Sequence, residues 1–142
     1  MRQKMFAGLI AATVLLSALP GAGQERVSVF EDYAAFDSFV TDMVNRRAFG
    51  ALLQRMGGGD RLTLADVQRI TEQSRQSFPQ DFENSDVLRK QDLGNGFSQE
   101  ARAFWVGETY AFVYILLHER DDGLVVVNFA IHASPAPVLS MF

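Results

Sequence analysis

From Phe30 to Met56 apolar positions recur at helical spacing: Tyr33, Phe36, Val40, Met43 and Val44, then Phe49, Leu52, Leu53 and Met56. Asp32, Asp37, Asp42, Asn45 and Arg46 take the opposite side, so the spacing predicts an amphipathic helix with Gly50 as a point of kinking or division. Gly57-Gly58-Gly59-Asp60 stops it, because three glycines lose too much backbone entropy to stay helical. A second helix opens at Thr63-Leu64-Ala65-Asp66, where the Thr63 hydroxyl can cap and Asp66 can reach back to the Thr63 amide. Leu62 and Val67 stand at the positions of a hydrophobic staple. Leu64, Val67, Ile70 and Ser74 continue the stripe, and Phe78-Pro79 ends it, since proline disfavours helix in the residue before it.

After Pro79 the period changes. Runs rich in Val, Ile, Phe, Tyr and Trp predict strands at about 86–93, 98–106, 109–119 and 124–133, with a further one at 137–142. Gly94-Asn95-Gly96, Gly107-Glu108 and Asp121-Asp122-Gly123 supply the turns. Helices first and a hairpin meander second define an α+β class, two N-terminal helices packed on a curved antiparallel β-meander of four or five strands. This element order is similar to the small NTF2-like and cystatin-like folds. The resemblance is one of architecture and implies no catalytic residue, because such folds carry enzymes, binding modules and scaffolds alike.

Ahead of this pattern stand Arg2 and Lys4, an apolar run from Met5 to Leu19, and the small residues of Pro20-Gly21-Ala22-Gly23. That order is the signature of a cleavable export signal over 1–23, with cleavage expected before Gln24 and a single domain on 24–142. The apolar run is about 15 residues against the roughly 20 that cross a bilayer, so removal is expected rather than membrane anchoring. Export makes the protein periplasmic or secreted. With Arg2 and Lys4 gone, 17 carboxylates face 11 cations, a net charge of −6 that does not suit a phosphate backbone, so no nucleic-acid partner is expected. The chain contains no cysteine, so its stability rests on its core rather than on disulfides.

The pairing of 109–119 with 124–133 decides which side chains share a face, because one residue of slip exchanges the faces. A two-residue Asp122-Gly123 turn sets His118 opposite Val127. A three-residue Asp121-Asp122-Gly123 loop sets it opposite Val126, and this second register sorts the residues more cleanly. It gathers Val113, Ile115, Leu117, Val125, Val127, Phe129 and Ile131 beneath the helices, joined by Phe104 and Val106. The other face receives Trp105, Tyr110, Phe112, Tyr114, Leu116, His118, Val126, Asn128, Ala130 and His132. Both faces are apolar for a sheet with one side in water. The second needs a cover: a ligand, a second subunit, or the helix and C-terminal tail of the same chain.

Chemistry-bearing motifs are sparse. His118 and His132 lie roughly 17 to 20 Å apart at about 3.3 Å per strand residue, too far to share a zinc ion. Glu119, Asp121 and Asp122 lack the ligand spacing of a calcium loop, and Gly57-Gly58-Gly59 lacks the Gly-Lys-Ser/Thr ending of a phosphate loop. There is no Gly-x-Ser-x-Gly elbow and no thiol. No catalytic residue, metal site or cofactor is expected. The candidate binding face is Trp105, Tyr110, Phe112, Tyr114, His118, Asn128 and His132, because aromatics with polar tips give large contact area at little entropic cost. The sequence therefore points to an exported, non-enzymatic module binding a protein partner or itself as a homodimer. The alternative is a small-ligand-binding or hydrolase/isomerase-like domain with a pocket between helices and sheet, lined by Tyr110, Tyr114, Asn128 and one histidine.

Overall fold

The computed structural model describes residues 27–58 and 62–142. The expected export signal over 1–23 and its cleavage site lie outside the described residues, as do Gly59 and Asp60 of the glycine stop. The described chain is α+β: β1 (Val29–Phe30), α1 (Tyr33–Asn45), α2 (Phe49–Leu53) running into a π-turn (Gln54–Gly58), α3 (Leu64–Ser77), then β2 (Asn84–Gly94), β3 (Phe97–Val106), β4 (Thr109–Arg120), β5 (Gly123–His132) and α4 (Pro135–Leu139). The five strands form one antiparallel sheet in the order β1-β5-β4-β3-β2.

Asp32 opens α1 by accepting the Ala35 amide at 2.8 Å. Phe36, Val40 and Val44, one turn apart, are fully buried against the sheet. The single helix expected over 30–56 is divided, and the division falls at Arg47 rather than Gly50. Arg47 has φ 57°, and its guanidinium is held by Asp81 Oδ1 at 2.8 Å and the Phe78 carbonyl at 2.9 Å. Gly50 serves packing instead: a Cβ there would lie 2.2 Å from the Val67 carbonyl oxygen, so its absence lets α3 seat on α2. The Thr63–Asp66 capping box forms as expected. The stripe on α3 is less buried than its spacing suggests, with Leu64 74% exposed.

Two-residue turns join the last four strands. Asn95 and Gly96 both have positive φ, 55° and 82°, as a type I′ hairpin requires. Between β4 and β5 neither expected turn occurs: Arg120 pairs with Gly123 and leaves Asp121-Asp122 as the loop, which sets His118 opposite Val125. Leu117 pairs with Val126 but Leu116 pairs with Asn128, so Val127 is an extra, bulged residue. The bulge restores the preferred register from Asn128 onward, as in Tyr114 opposite Ala130 and Phe112 opposite His132. Before it the faces are exchanged relative to expectation. Leu124 and Val126 are buried with Ile115 and Leu117 under the helices, and Val127 is 50% exposed.

The strand expected at 137–142 is a short helix and tail. Pro135 and Pro137 have no amide hydrogen for a sheet ladder, whereas proline fits the first turn of a helix. This segment lies on the second face of the sheet, where Val138 is fully buried against Ala101 and Tyr114. The far rim is β2, exposed along its whole length and broken by irregularities between Val87 and Arg89 and between Asp92 and Gly94.

Candidate functional site

Alternation along β3 and β4 carries Trp105, Tyr110, Phe112, Tyr114 and His118 to the face opposite α1 and α2. The C-terminal segment separates them. Ala101 and Ala130 leave a shallow trough over which Val138 packs, and the Phe142 ring meets the Tyr114 ring edge to face at 6.0 Å. The Arg89 guanidinium stands 4.8 Å from the centre of the Phe142 ring. Tyr114 is thus 6% exposed, and its hydroxyl donates to Gln99 Oε1 at 2.9 Å. Burial pushes the pKa of that hydroxyl up.

On one side of the segment the rings of Trp105, Tyr110 and Phe112 follow one another, 6.3 and 6.1 Å between centres with planes 23° and 9° apart. Trp105 and Phe112 are half-buried, and Tyr110 is 45% exposed. On the other side His118 stacks on Phe97 at 3.8 Å. Asn128 is exposed beside the bulge. His132, opposite Phe112, borders a groove of 400 Å³ between α2, α3 and β5. The candidate residues therefore do not share one site. Trp105, Tyr110 and Phe112 form a continuous run with His132 paired beside Phe112 on the same face, and neither tyrosine of the expected pocket nor Asn128 lines that groove.

A second polar assembly, absent from the sequence reading, sits beneath α1. Glu100 is fully buried and Arg102 is 3% exposed, on the same side of β3 as Phe104. Arg102 donates to Glu100 Oε2 from Nε at 3.0 Å and Nη2 at 2.9 Å, to Asp37 Oδ1 from Nη1 at 2.6 Å, and to the Tyr33 hydroxyl at 3.1 Å. Lys90 Nζ is 3.4 Å from Glu100 Oε1 and 4.0 Å from the centre of the Tyr33 ring. Burial and then hydrogen bonding to Glu100 push the Tyr33 hydroxyl up to about 12. Burial works against the Arg102 charge, but Glu100, Tyr33 and Asp37 outweigh it and hold its pKa above the usual guanidinium range. Alternation from Phe104 was the signal available in the sequence: it already put two charged residues among buried positions.

Tyr33 and Lys90 also edge an open cavity of 720 Å³ between the start of α1 and the hairpin tips, with Glu31, Asp92 and Glu119 around it. Glu100 is sealed from solvent, with Oε2 held by Arg102 and Oε1 left without a hydrogen-bond partner beside Lys90, and through Arg102 it helps clamp helix to sheet. Among the described residues no group of three or more His, Asp or Glu side chains is placed to hold a metal ion, and no helix is long and apolar enough to cross a membrane. No protein-family model, no curated protein and no solved structure matches this chain.

Proposed function

We propose that this protein is an exported, non-enzymatic interaction module that packs against another chain, a partner protein or a second copy, through Trp105, Tyr110 and Phe112. One observation carries the reading: the C-terminal segment covers Tyr114 on this face yet leaves Tyr110, in line with it on β4, 45% exposed. Three aromatic rings in sequence with one outermost tyrosine suit the anchor role that buried aromatics play at interfaces. The most elaborate charged cluster, around Arg102, holds α1 to the sheet on the opposite face.

Sedimentation of the wild type and of Tyr110→Glu tests the aromatic surface. A charge placed there is costly once a partner desolvates it, so the variant should stay folded and lose self-association or partner capture. A wild type that remains monomeric, with a partner that binds Tyr110→Glu as tightly as wild type, would count against this surface. Export is tested separately by sequencing the N-terminus of secreted material, which should begin at or next to Gln24.

A further inference from the structure

We propose that two copies of this chain exchange their C-terminal segments, residues 135–142, so that Val138 and Phe142 of each are seated on the sheet of the other. The inference rests on the reading of Trp105, Tyr110 and Phe112 as an interface, and adds what joins the two copies there.

The seat is one cross-strand row of the second face. Ala130, Tyr114, Ala101 and Arg89 are successive pairing partners on β5, β4, β3 and β2, and the segment lies across them. Val138 is fully buried against Ala101 and Tyr114, and the Phe142 ring is held between the Tyr114 ring and the Arg89 guanidinium. Every other residue from Ala133 to Met141 is exposed, so two side chains anchor the whole segment.

The described hydrogen bonds of the segment close within it. The Ser140, Met141 and Phe142 amides donate to the Ala136, Val138 and Leu139 carbonyls at 3.0, 3.3 and 3.4 Å, and the Ser140 hydroxyl to the Pro137 carbonyl at 3.0 Å. The segment can therefore leave without breaking a ladder bond, and its departure uncovers an apolar row that has to be covered again. What fits that row is shown by the fold: this same segment. A second copy offers it, and reciprocal exchange remakes each contact of the monomer in a two-fold dimer.

Only Ala133 and Ser134 join β5 to the segment, and the Ser134 side chain makes no capping bond that would fix the link. Closure within one chain competes at an effective concentration on the order of millimolar for a short flexible link, so exchange needs a further contact. The exposed rings supply it. The link leaves β5 at His132, which pairs with Phe112, the inner member of the run that continues through Tyr110 to Trp105. Chains that cross at their links bring these runs together around the two-fold axis, where buried aromatics carry interface energy.

The chain has no cysteine, so introduced thiols report the topology. Ala101→Cys and Val138→Cys are made in separate full chains, mixed at high protein concentration and oxidised with glutathione. A mixed disulfide-linked dimer is expected, and neither variant alone should cross-link, because exchange sets Val138 of one copy on Ala101 of the other. A Gly-Ser-Gly-Ser insertion between Ala133 and Ser134 disturbs no buried side chain and eases closure within one chain, so sedimentation should show the dimer weakened about tenfold or more. A dimer that is lost in Tyr110→Glu but gives no mixed disulfide and ignores the insertion would overturn exchange and leave the aromatic interface standing. A wild type that stays monomeric at the highest concentration would overturn exchange together with self-association, leaving capture of a different protein as the test of the aromatic surface.

Discussion

Arg102 on β3 and Asp37 on α1 are joined at 2.6 Å, a contact that spans 65 residues of sequence and fixes the first helix at one position on the sheet. The same guanidinium holds Glu100, so the cluster positions α1 by charge as well as by apolar packing.

Removing one member of the buried pair leaves the other uncompensated in the core. Arg102→Met or Glu100→Leu alone should therefore cost about 3 to 5 kcal/mol. The double variant should lose far less than the sum, because Asp37 and Lys90 are about half exposed and can hydrate. Urea denaturation of the four proteins in this cycle measures the coupling.

Alkaline pH acts on Tyr33. Its hydroxyl is held up to about 12 in the fold against 10.0 when free, so from about pH 10 upward the unfolded chain has lost a proton that the folded chain keeps. The stability tied to this hydroxyl is complete below pH 10 and is lost as pH rises through about 12. Tyr33 is 37% exposed, which screens the effect. Tyr33→Phe should flatten the fall in unfolding free energy over this window, and tyrosinate absorbance should show one fewer late-titrating group.

At the second face, Val138→Ala should cost about 2 kcal/mol, since its side chain is fully buried. Val138→Asp should release the C-terminal segment and uncover Tyr114. Near-ultraviolet circular dichroism should report the loss of the Tyr114–Phe142 contact while the far-ultraviolet spectrum is largely kept.

The bulge makes a prediction about length. Val125, Val126 and Val127 are identical, so deleting any one yields the same chain, and the shortened β5 can pair continuously with β4 with both faces preserved. The deletion should cost no more than about 1 kcal/mol. Inserting a valine at the same place should exchange Leu124 and Val126 with solvent-facing neighbours and unfold the domain, as thermal melts would show.

That run of valines also marks where the sequence stops being legible. The class of fold, α3 with its capping box and the four long strands follow from periodicity and turn residues. The phase of β5 does not, because three identical apolar residues carry no alternation, and Arg120 and Gly123 close a two-residue turn one position earlier than Asp122-Gly123. Arg47 gave no warning of a left-handed break inside a helical stripe, since its cause is tertiary: Asp81 and the Phe78 carbonyl lie more than thirty residues onward. The aromatic residues were legible as a face. That α4 would divide that face and cover Tyr114 was legible only as one of three possible covers. Glu100 and Arg102 were readable in principle from their phase with Phe104, but charges at core positions run against composition-based expectation until a partner such as Asp37 is found.

The strand at the far rim sets a limit on growth. A neighbouring chain adding to β2 would need an unbroken row of amides and carbonyls, and the row is interrupted twice, at Leu88 and Leu93, with Asp86, Arg89, Lys90 and Asp92 spread along it. Exposed apolar side chains at Val87, Leu88 and Leu93 would otherwise make this rim a seed for fibrils. The irregular backbone and the charges along this rim work against strand addition to β2.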